Sequence, residues 1–215
     1  MRLTRKLIKR LLQELEVRRK QFEFYREKLL SFDKNDKQMK LEELCSVARG
    51  KVISKNDIQD NPGDYPVYSS QTENNGELGR INTYMYEGEY LTWTTDGANA
   101  GTVFYRNGKF NITNVCGILQ SNEELVDIRY LYHFLTVAAP KYVSKGMGNP
   151  KLMSNVMKSI KVFVPPLSEQ KRIADILERY NTACLGLISR ISEEVSSRKS
   201  QYSFYRDKLL SFKEI

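Results

Sequence analysis

Three loops of this sequence combine glycine with amide, hydroxyl and basic side chains. They cover Ser69–Gly76, Thr94–Gly101 and Lys145–Lys151. Asn and Gln amides can bond adenine through two hydrogen bonds, Ser and Thr hydroxyls can reach bases or phosphates, and Lys can pair with phosphates. Because Gly, Asn and Ser also favour ordinary turns, each loop alone is a weak signal. Together with a formal net charge of +8 over 215 residues, the loops favour a nucleic-acid partner.

Motifs for covalent chemistry are absent from the sequence. An amino-methyltransferase needs Asn or Asp followed by Pro-Pro and an aromatic residue, whereas the Pro-Pro pair here follows Val164 and Asn149-Pro150 is followed by lysine. Neither a glycine-rich nucleotide motif nor a phosphate-binding loop ending in Gly-Lys-Ser/Thr occurs. Glu169-Gln170-Lys171 matches only a fragment of a nuclease motif, and it lies in the first turn of a predicted helix, where Glu favours the helix dipole. We therefore predict a chain that is not an enzyme and has no catalytic residue.

The single histidine and the three cysteines do not suggest a catalytic or metal-binding group. His133 lies in the run YLYHFL, where a core or helix-face histidine is expected. Cys45, Cys116 and Cys184 are odd in number and far apart, which excludes a disulfide scaffold and the spacing of a metal site. No apolar run approaches the roughly 20 residues of a membrane span, and the N-terminal segment lacks the apolar stretch of a signal peptide. These features predict a cytoplasmic protein without a metal and without a membrane partner.

The same helical element occurs near both ends of the chain. Residues 18–32 read RRKQFEFYREKLLSF and residues 198–212 read RKSQYSFYRDKLLSF, so ten residues recur identically at an offset of 180. Apolar residues in both copies alternate three and four positions apart, which is the spacing of a coiled-coil seam. Two helices of a bundle would give the same pattern, but the repeat favours two matched helices that pair antiparallel. The predicted pairing residues are Ile8, Leu11, Leu15, Phe22, Tyr25, Leu29, Ile188, Ile191, Val195, Tyr202, Tyr205 and Leu209.

The second helix has a recognisable start. Pro165-Pro166 ends the preceding segment, Ser168 is the predicted N-cap and Glu169 lies in the first turn. We predict that this helix runs from about Ser168 to Phe212. The first helix is predicted to end near Phe32, before a polar linker.

The middle segment, residues 39–165, has the composition of a sheet domain. Runs rich in Tyr, Val, Ile and Thr alternate there with Gly, Asn and Asp. Asn107-Gly108 predicts a two-residue hairpin turn, whereas residues 41–48, 127–139 and 153–158 are predicted to be helical. We therefore expect an α+β fold with a twisted, mainly antiparallel sheet, flanked by two long helices that pair as an antiparallel coiled coil.

Four segments form a combination that is specific to one protein family. They are YPVYSSQT (65–72), TTDGANAGTVFYRNGKFNITNVCGIL (94–119), GMGNPKL (146–152) and IKVFVPPLSEQKRIADIL (160–177). Through them the sequence resembles the DNA-specificity (S) subunit of type I restriction–modification enzymes, and the resemblance covers nearly the whole chain. A full S subunit has two target-recognition domains alternating with two long helices that pair antiparallel.

The resemblance implies a half-length form with a single recognition domain. Its parts would be a coiled-coil helix and linker at 1–37, a target-recognition domain at 38–166 and a second coiled-coil helix at 167–215. The N-terminal helix lacks the Pro-Pro-x-Ser-Glu-Gln start, so the chain corresponds to the second half of a full subunit. One recognition domain would contact one half of a bipartite target. The other half of the target would be contacted by a second copy of the chain in a homodimer or by a different half subunit.

The resemblance also implies partners and contact residues. Double-stranded DNA would bind the recognition domain, and the helices would bind methyltransferase (modification) subunits and, through them, restriction subunits. S-adenosylmethionine, ATP and magnesium are expected in those partners, and no cofactor is expected in this chain. The DNA-binding residues implied by position are Ser69, Ser70, Gln71, Thr72, Asn74, Asn99, Lys145, Asn149 and Lys151.

Two other functions are compatible with these features. The chain could be an interaction module or a recombination-donor half subunit, whose helices bind other subunits while its domain recognises no DNA. A free-standing enzyme is the second alternative, and the missing catalytic motifs weigh against it. The sequence is compatible with helix pairing within one chain or between chains.

Overall fold

The computed structural model describes residues 2–32, 37–144, 146 and 148–211, and it divides the chain into two compact units. Met1–Ser31 and Asp175–Ile215 form the helical unit, and Phe32–Ala174 form the sheet unit. The α-helices of the described residues are α1 (Arg2–Leu29), α2 (Leu41–Leu44), α3 (Lys55–Asp60), α4 (Ile128–Ala138), α5 (Ser154–Ser159) and α6 (Leu167–Leu210). Their strands are β1 (Gln38–Lys40), β2 (Cys45–Arg49), β3 (Pro62–Tyr68), β4 (Glu77–Ile81), β5 (Tyr86–Thr94), β6 (Val103–Ile112), β7 (Cys116–Ser121) and β8 (Lys161–Phe163).

In the helical unit, α1 pairs with α6 in the antiparallel direction. The ring of Phe22 stacks on that of Tyr180 with centroids 5.6 Å apart, and Tyr25 contacts the same ring at 6.1 Å. Earlier in α1, Leu12 and Leu15 line a groove with residues that come later in α6, among them Ile191. Because the residue numbers of the two helices run in opposite directions, the predicted antiparallel pair is confirmed.

The pairing residues differ in how deeply they lie in this helical unit. Ile191 is buried, and Tyr25 and Tyr205 are 48% and 60% exposed. The other described pairing side chains, apart from exposed Ile188, are half-buried, and the side chain of Leu209 lies outside the described part. Among the described residues, no helix is long and apolar enough to span a membrane.

The sheet unit contains a six-stranded sheet in the order β2-β7-β5-β6-β3-β4. All neighbours in it are antiparallel except β3 and β6, which pair in parallel. β1 and β8 form a separate antiparallel pair. This arrangement confirms the α+β fold with a mainly antiparallel sheet.

The core of the sheet unit includes the region where α4 packs against β5 and β6. β5 alternates between half-buried and exposed residues in its first half and is fully buried in its second half, from Leu91 to Thr94. Trp93 is completely buried there, and its Nε1 donates a hydrogen bond of 3.0 Å to the carbonyl of Leu152. A large ring buried in this way contributes apolar area and anchors the segment around Leu152.

The start of α6 is tied to the start of α4 by one amide side chain. Gln170 is completely buried; its Oε1 accepts from the backbone N–H of Asp127, and its Nε2 donates to the carbonyls of Leu125 and Pro165. Asp127 is itself the N-cap of α4 and accepts from the N–H groups of Arg129 and Tyr130. The two residues of the Glu-Gln motif therefore have different roles. Glu169 lies near the surface and forms an ion pair with Arg172 at 2.7 Å. Gln170 connects the N-terminus of α6 to the N-terminus of α4.

Three local predictions are wrong, for two reasons. Asn107-Gly108 is not a hairpin turn, because β6 continues through it and pairs with Glu89 and Gly88 of β5. Residues 45–48 are not helical, because Cys45–Arg49 pair with β7 as strand β2. In both cases, pairing with a distant strand outweighs the local preference. Ser168 is not the N-cap, because α6 already begins at Leu167. The carbonyl of Pro166 accepts hydrogen bonds from the backbone N–H groups of Glu169 and Gln170.

Thiol labelling is expected to distinguish Cys184 from the other two cysteines. Burial raises the pKa of the Cys45 and Cys116 thiols to about 12, so almost no thiolate forms at pH 8. Cys184 is only half-buried. We expect iodoacetamide to modify Cys184 in the folded protein and the other two only after unfolding, as measured by mass spectrometry. Cys184→Ser should abolish labelling of the folded protein; equal labelling of Cys116 would contradict the structure.

Candidate nucleic-acid interface

The three polar loops meet in the sheet unit. Ser70 Oγ of the first loop donates to Asp96 Oδ1 of the second at 2.8 Å. Asn99 Nδ2 of the second loop donates to Thr72 Oγ1 of the first at 2.9 Å. The backbone N–H of Gly97 donates to the carbonyl of Pro150 in the third loop at 3.1 Å. Segments that are far apart in the sequence are thus joined by hydrogen bonds, and the exposed residues of these three loops are together called the loop surface below.

The turn between β6 and β7, Thr113–Val115, lies beneath the first two loops. The carbonyl of Val115 accepts a hydrogen bond from the Thr95 hydroxyl and also lies against Ser70 Oγ, whose one proton is shared between this carbonyl and Asp96. Thr113 Oγ1 donates to Ser69 Oγ at 3.2 Å. The hydroxyls of Ser69 and Ser70 therefore bind protein atoms and hold the loops together.

Two further candidates from the first loop are also bonded within the protein. Gln71 Nε2 donates to the carbonyl of Glu77, where the chain enters β4. Thr72 accepts from Asn99, as described above. Ser69, Ser70, Gln71 and Thr72, which were predicted to contact DNA, thus all have partners in the protein, and their observed contacts position the loops.

The exposed candidates are asparagines and one lysine. Asn74, Asn99, Asn149 and Lys151 are all exposed on the loop surface. Lys151 is held through its backbone, which exchanges hydrogen bonds with Ser144 at 2.9 and 3.3 Å. Lys145, the other predicted lysine of the third loop, lies outside the described residues.

The sequence reasoning missed three residues on or beneath this surface. Asn75 is exposed next to Asn74, and both have positive φ angles, 53° and 48°. Lys51 is exposed, and its backbone forms an isolated parallel β-bridge with Thr113, so it adds a cation beside the β6–β7 turn. The run Arg49-Gly50-Lys51 could have indicated it. Arg106 is buried beneath the first loop and had no local signal, since it lies within a strand.

Other candidate chemistry is not assembled in the described residues. Among them, no three His, Cys, Asp or Glu side chains lie close enough together to hold a metal ion. His133 is buried on α4. The polar surface that the loops build is suited to hydrogen bonding and to pairing with anions.

Comparisons with known proteins give a consistent result. Residues 34–197 match the family described as the type I restriction modification DNA specificity domain. A putative type I specificity subunit of Mycoplasma pneumoniae is 41% identical over 208 residues, which cover 93% of this chain and 77% of that protein. A second putative type I specificity subunit of the same organism is 41% identical over 201 residues, which cover 89% of this chain and 80% of that protein.

A solved structure shares the fold. The crystal structure of a type I restriction-modification system S subunit from M. genitalium superposes with a TM-score of 0.63 at 18% sequence identity. The match covers 99% of this chain and 59% of the solved chain. This chain therefore spans little more than half the length of that S subunit.

Proposed function

This chain belongs to the family of type I restriction–modification DNA specificity domains, and we propose that it recognises one half of a bipartite DNA target. In this role it is a non-catalytic subunit of a DNA adenine methyltransferase and ATP-dependent endonuclease. The observation that supports the proposal most directly is that three distant polar loops are joined by hydrogen bonds and carry exposed amides and an exposed lysine.

The exposed side chains have the chemistry that DNA recognition needs. An Asn amide can make two hydrogen bonds to one adenine: its N–H donates to N7, and its oxygen accepts from the N6 amino group. Asn74, Asn99 and Asn149 are therefore the proposed base contacts. Lys151 and Lys51 are the proposed phosphate contacts, which add affinity without sequence information. Ser69, Ser70, Gln71 and Thr72 support these residues from within the protein.

The helical unit is the proposed docking site for methyltransferase subunits. Phe24 and Phe204 are equivalent in the repeat and are 62% and 61% exposed, each packed edge-on against the following tyrosine. Exposed aromatic pairs are typical of interaction sites. Two matched pairs suit two copies of one partner, which would carry S-adenosylmethionine. Restriction subunits, with ATP and magnesium, would join through them.

A bipartite target requires a second recognition unit. A second copy of this chain would supply the same half-site and make the target two-fold symmetric, whereas a different half subunit would make it asymmetric. The recovered target sequence distinguishes these two arrangements.

Selection from a random-sequence duplex library tests the proposal. The chain, co-purified with a type I modification subunit, is expected to enrich one sequence motif at about 100 mM salt, where phosphate contacts still contribute. A complex that forms but enriches no motif would instead support the interaction module that recognises no DNA. Failure of the complex to form would contradict the docking role.

The Lys151→Ala variant is expected to weaken binding to the enriched duplex about fivefold to tenfold, with the motif unchanged. Because one phosphate contact is lost, the slope of log K against log salt should fall by about one. Fluorescence anisotropy over a salt series measures both quantities. Lys161→Ala is the matched control, since Lys161 is exposed on β8, which pairs with β1 outside the six-stranded sheet. An equal effect of both variants would remove Lys151 from the proposed interface.

A further inference from the structure

A buried guanidinium lies directly beneath the first loop. Arg106, in the middle of β6, is only 3% exposed. Its Nε donates to Thr92 Oγ1 at 3.1 Å, and its Nη2 donates to the carbonyl of Asn75 at 2.8 Å. The guanidinium carbon lies 3.5 Å from the ring centre of Tyr68 and 4.5 Å from that of Phe104. The planar group is thus fixed by two rings and a hydroxyl, and its remaining contact is with the loop.

The loop segment that Arg106 contacts has an unusual backbone. Asn74, Asn75 and Gly76 have consecutive positive φ angles of 48°, 53° and 80°. Two of these residues are asparagines, which adopt this region more readily than other residues with a side chain, and the contacts around the turn help to keep the three residues in this conformation. The hydrogen bond from Arg106 Nη2 to the carbonyl of Asn75 joins this segment to strand β6. Gly76 also needs to lack a side chain, because a Cβ there would lie 3.0 Å from Arg106 Nη2.

The conformation determines where two amide side chains lie. Asn74 and Asn75 are both exposed, and their side chains make no hydrogen bond within the described part of the chain. Their donors and acceptors are therefore available to a ligand. A change of the backbone from the left-handed to the right-handed region would move both amides away from their observed positions.

The electrostatic setting shows that Arg106 is not held by an ion pair. Among the described residues it contacts the Thr92 hydroxyl, the Asn75 carbonyl, the Phe104 ring and both the ring and the hydroxyl of Tyr68; its Nη1 has no hydrogen-bond partner there, and no carboxylate pairs with it. Burial lowers the pKa of its guanidinium, which is the sign of an incompletely compensated charge. A buried cation without a carboxylate partner is costly to fold. The contacts that Arg106 makes offset this cost. Among them, the hydrogen bond to Asn75 connects the buried guanidinium to an exposed residue.

We propose that Arg106 is a positioning residue for DNA sequence recognition, fixing the Asn74-Asn75 turn so that both amides can contact bases. The inference rests on the proposed function, because it assigns the recognition of particular base pairs to this turn. Arg106 itself does not contact DNA. It acts through the carbonyl of Asn75 and the direction that this bond gives to the turn.

Library selection with three variants tests the inference. We expect Arg106→Met to lower affinity for the wild-type motif at least tenfold while its affinity for an unrelated duplex stays the same. The motif it enriches should lose the base pairs that are also lost by the double variant Asn74→Ala, Asn75→Ala. Arg106→Lys should restore part of the preference, since an ammonium can still bond one acceptor but cannot bridge Thr92 and Asn75.

Two controls separate positioning from charge and from stability. Arg80→Met removes the same charge from an exposed arginine that bonds Glu77 and the carbonyl of Asp64, and it should leave the motif unchanged. If the role of Arg106 is only structural, Arg106→Met will have a lower melting temperature, yet its folded fraction will enrich the wild-type motif. That result would overturn the inference.

The remaining outcomes are also decisive. Should Arg106→Met fail to fold, Thr92→Val removes the acceptor of Nε at nearly constant volume. It must then weaken the preference at the same base pairs for the inference to stand. Full additivity of Arg106→Met with the double asparagine variant would show that they act separately and would overturn it.

If the wild-type complex enriches no motif, the proposed function itself fails. If the wild-type complex enriches a motif and Arg106→Met enriches the same motif equally well, only the role of Arg106 fails.

Discussion

Gln170→Glu is expected to destabilise the sheet unit by about 3–5 kcal/mol at neutral pH, although it replaces one NH₂ group with one oxygen. The amide is completely buried and uses both ends: its oxygen accepts from Asp127 N–H, and its nitrogen donates to the carbonyls of Leu125 and Pro165. A carboxylate keeps the first bond but places a negative charge against two carbonyl oxygens. The loss should be seen in urea denaturation of the whole chain.

The loss should depend on pH in a defined direction. The introduced carboxyl would be buried, and burial raises the pKa of a carboxylic acid above its unfolded value of about 4.3. The unfolded state therefore releases its proton first as the pH rises, and the folded state becomes progressively less stable above about pH 4. Near pH 4 and below, the variant should recover part of its stability relative to the wild type.

Glu169→Gln is the matched control for this change. It makes the opposite chemical replacement one residue earlier, at a side chain whose main partner is Arg172 on the surface of the same helix turn. Surface ion pairs contribute about 0–1 kcal/mol, so this variant should unfold close to the wild-type midpoint. Equal stability of Gln170→Glu and wild type at pH 7 would contradict the hydrogen bonds described for Gln170.

Gly117→Ala is expected to destabilise the same unit by about 1–3 kcal/mol or more through overpacking. A Cβ at Gly117 would lie 2.2 Å from the indole of Trp93, a distance that real Cβ atoms do not adopt. Trp93 cannot move aside easily, because it is completely buried and bonded through Nε1 to the carbonyl of Leu152. The variant should therefore also loosen the third loop, and thermal unfolding together with hydrogen exchange at 148–152 measures the two effects.

A double-mutant cycle makes this prediction specific. Trp93→Leu alone leaves a cavity and should cost about 3–5 kcal/mol, as large core truncations do. The cost of Gly117→Ala should shrink when it is measured in the Trp93→Leu background, since the clashing ring is gone. Gly148→Ala is the control, because a Cβ at Gly148 would meet no atom within 4 Å. Additive costs of Gly117→Ala and Trp93→Leu would contradict the observed packing.

Elements with local causes were predictable. The offset of 180 residues between two copies of one helix, and the a/d spacing within each, indicated two long helices that pair, as α1 and α6 do. Tyr180, which stacks on Phe22, precedes the second copy and was not among the predicted pairing residues. The amphipathic run at 127–139 gave α4 because Asp127 can cap it from the adjacent residue. In each case the interactions that decide the structure join residues a few positions apart or follow from a visible repeat.

Elements decided by pairing were not predictable in the same way. Asn107-Gly108 has a strong turn preference, yet it lies inside β6. The reason is that β6 pairs with β5 without interruption from Val103 to Phe110, on both sides of these two residues. The turn that does join β5 and β6 uses Gly97 and Gly101, at φ angles of 95° and 83°. Both places have suitable glycines, and only the alignment of distant strand residues selects between them.

The sequence by itself determined the class of the fold, the paired helices and the polar character of three loops, because composition and spacing are local properties. Only the tertiary structure decided which polar side chains of those loops are exposed. Ser70 and Asn74 belong to one loop, but the hydroxyl of Ser70 contacts Val115 and Asp96, while Asn74 is exposed within the turn that Arg106 contacts. The physical reason is that polar groups removed from water need partners, and the partners of Ser70 lie in the second loop and in the β6–β7 turn, 26 and 45 residues away in the chain.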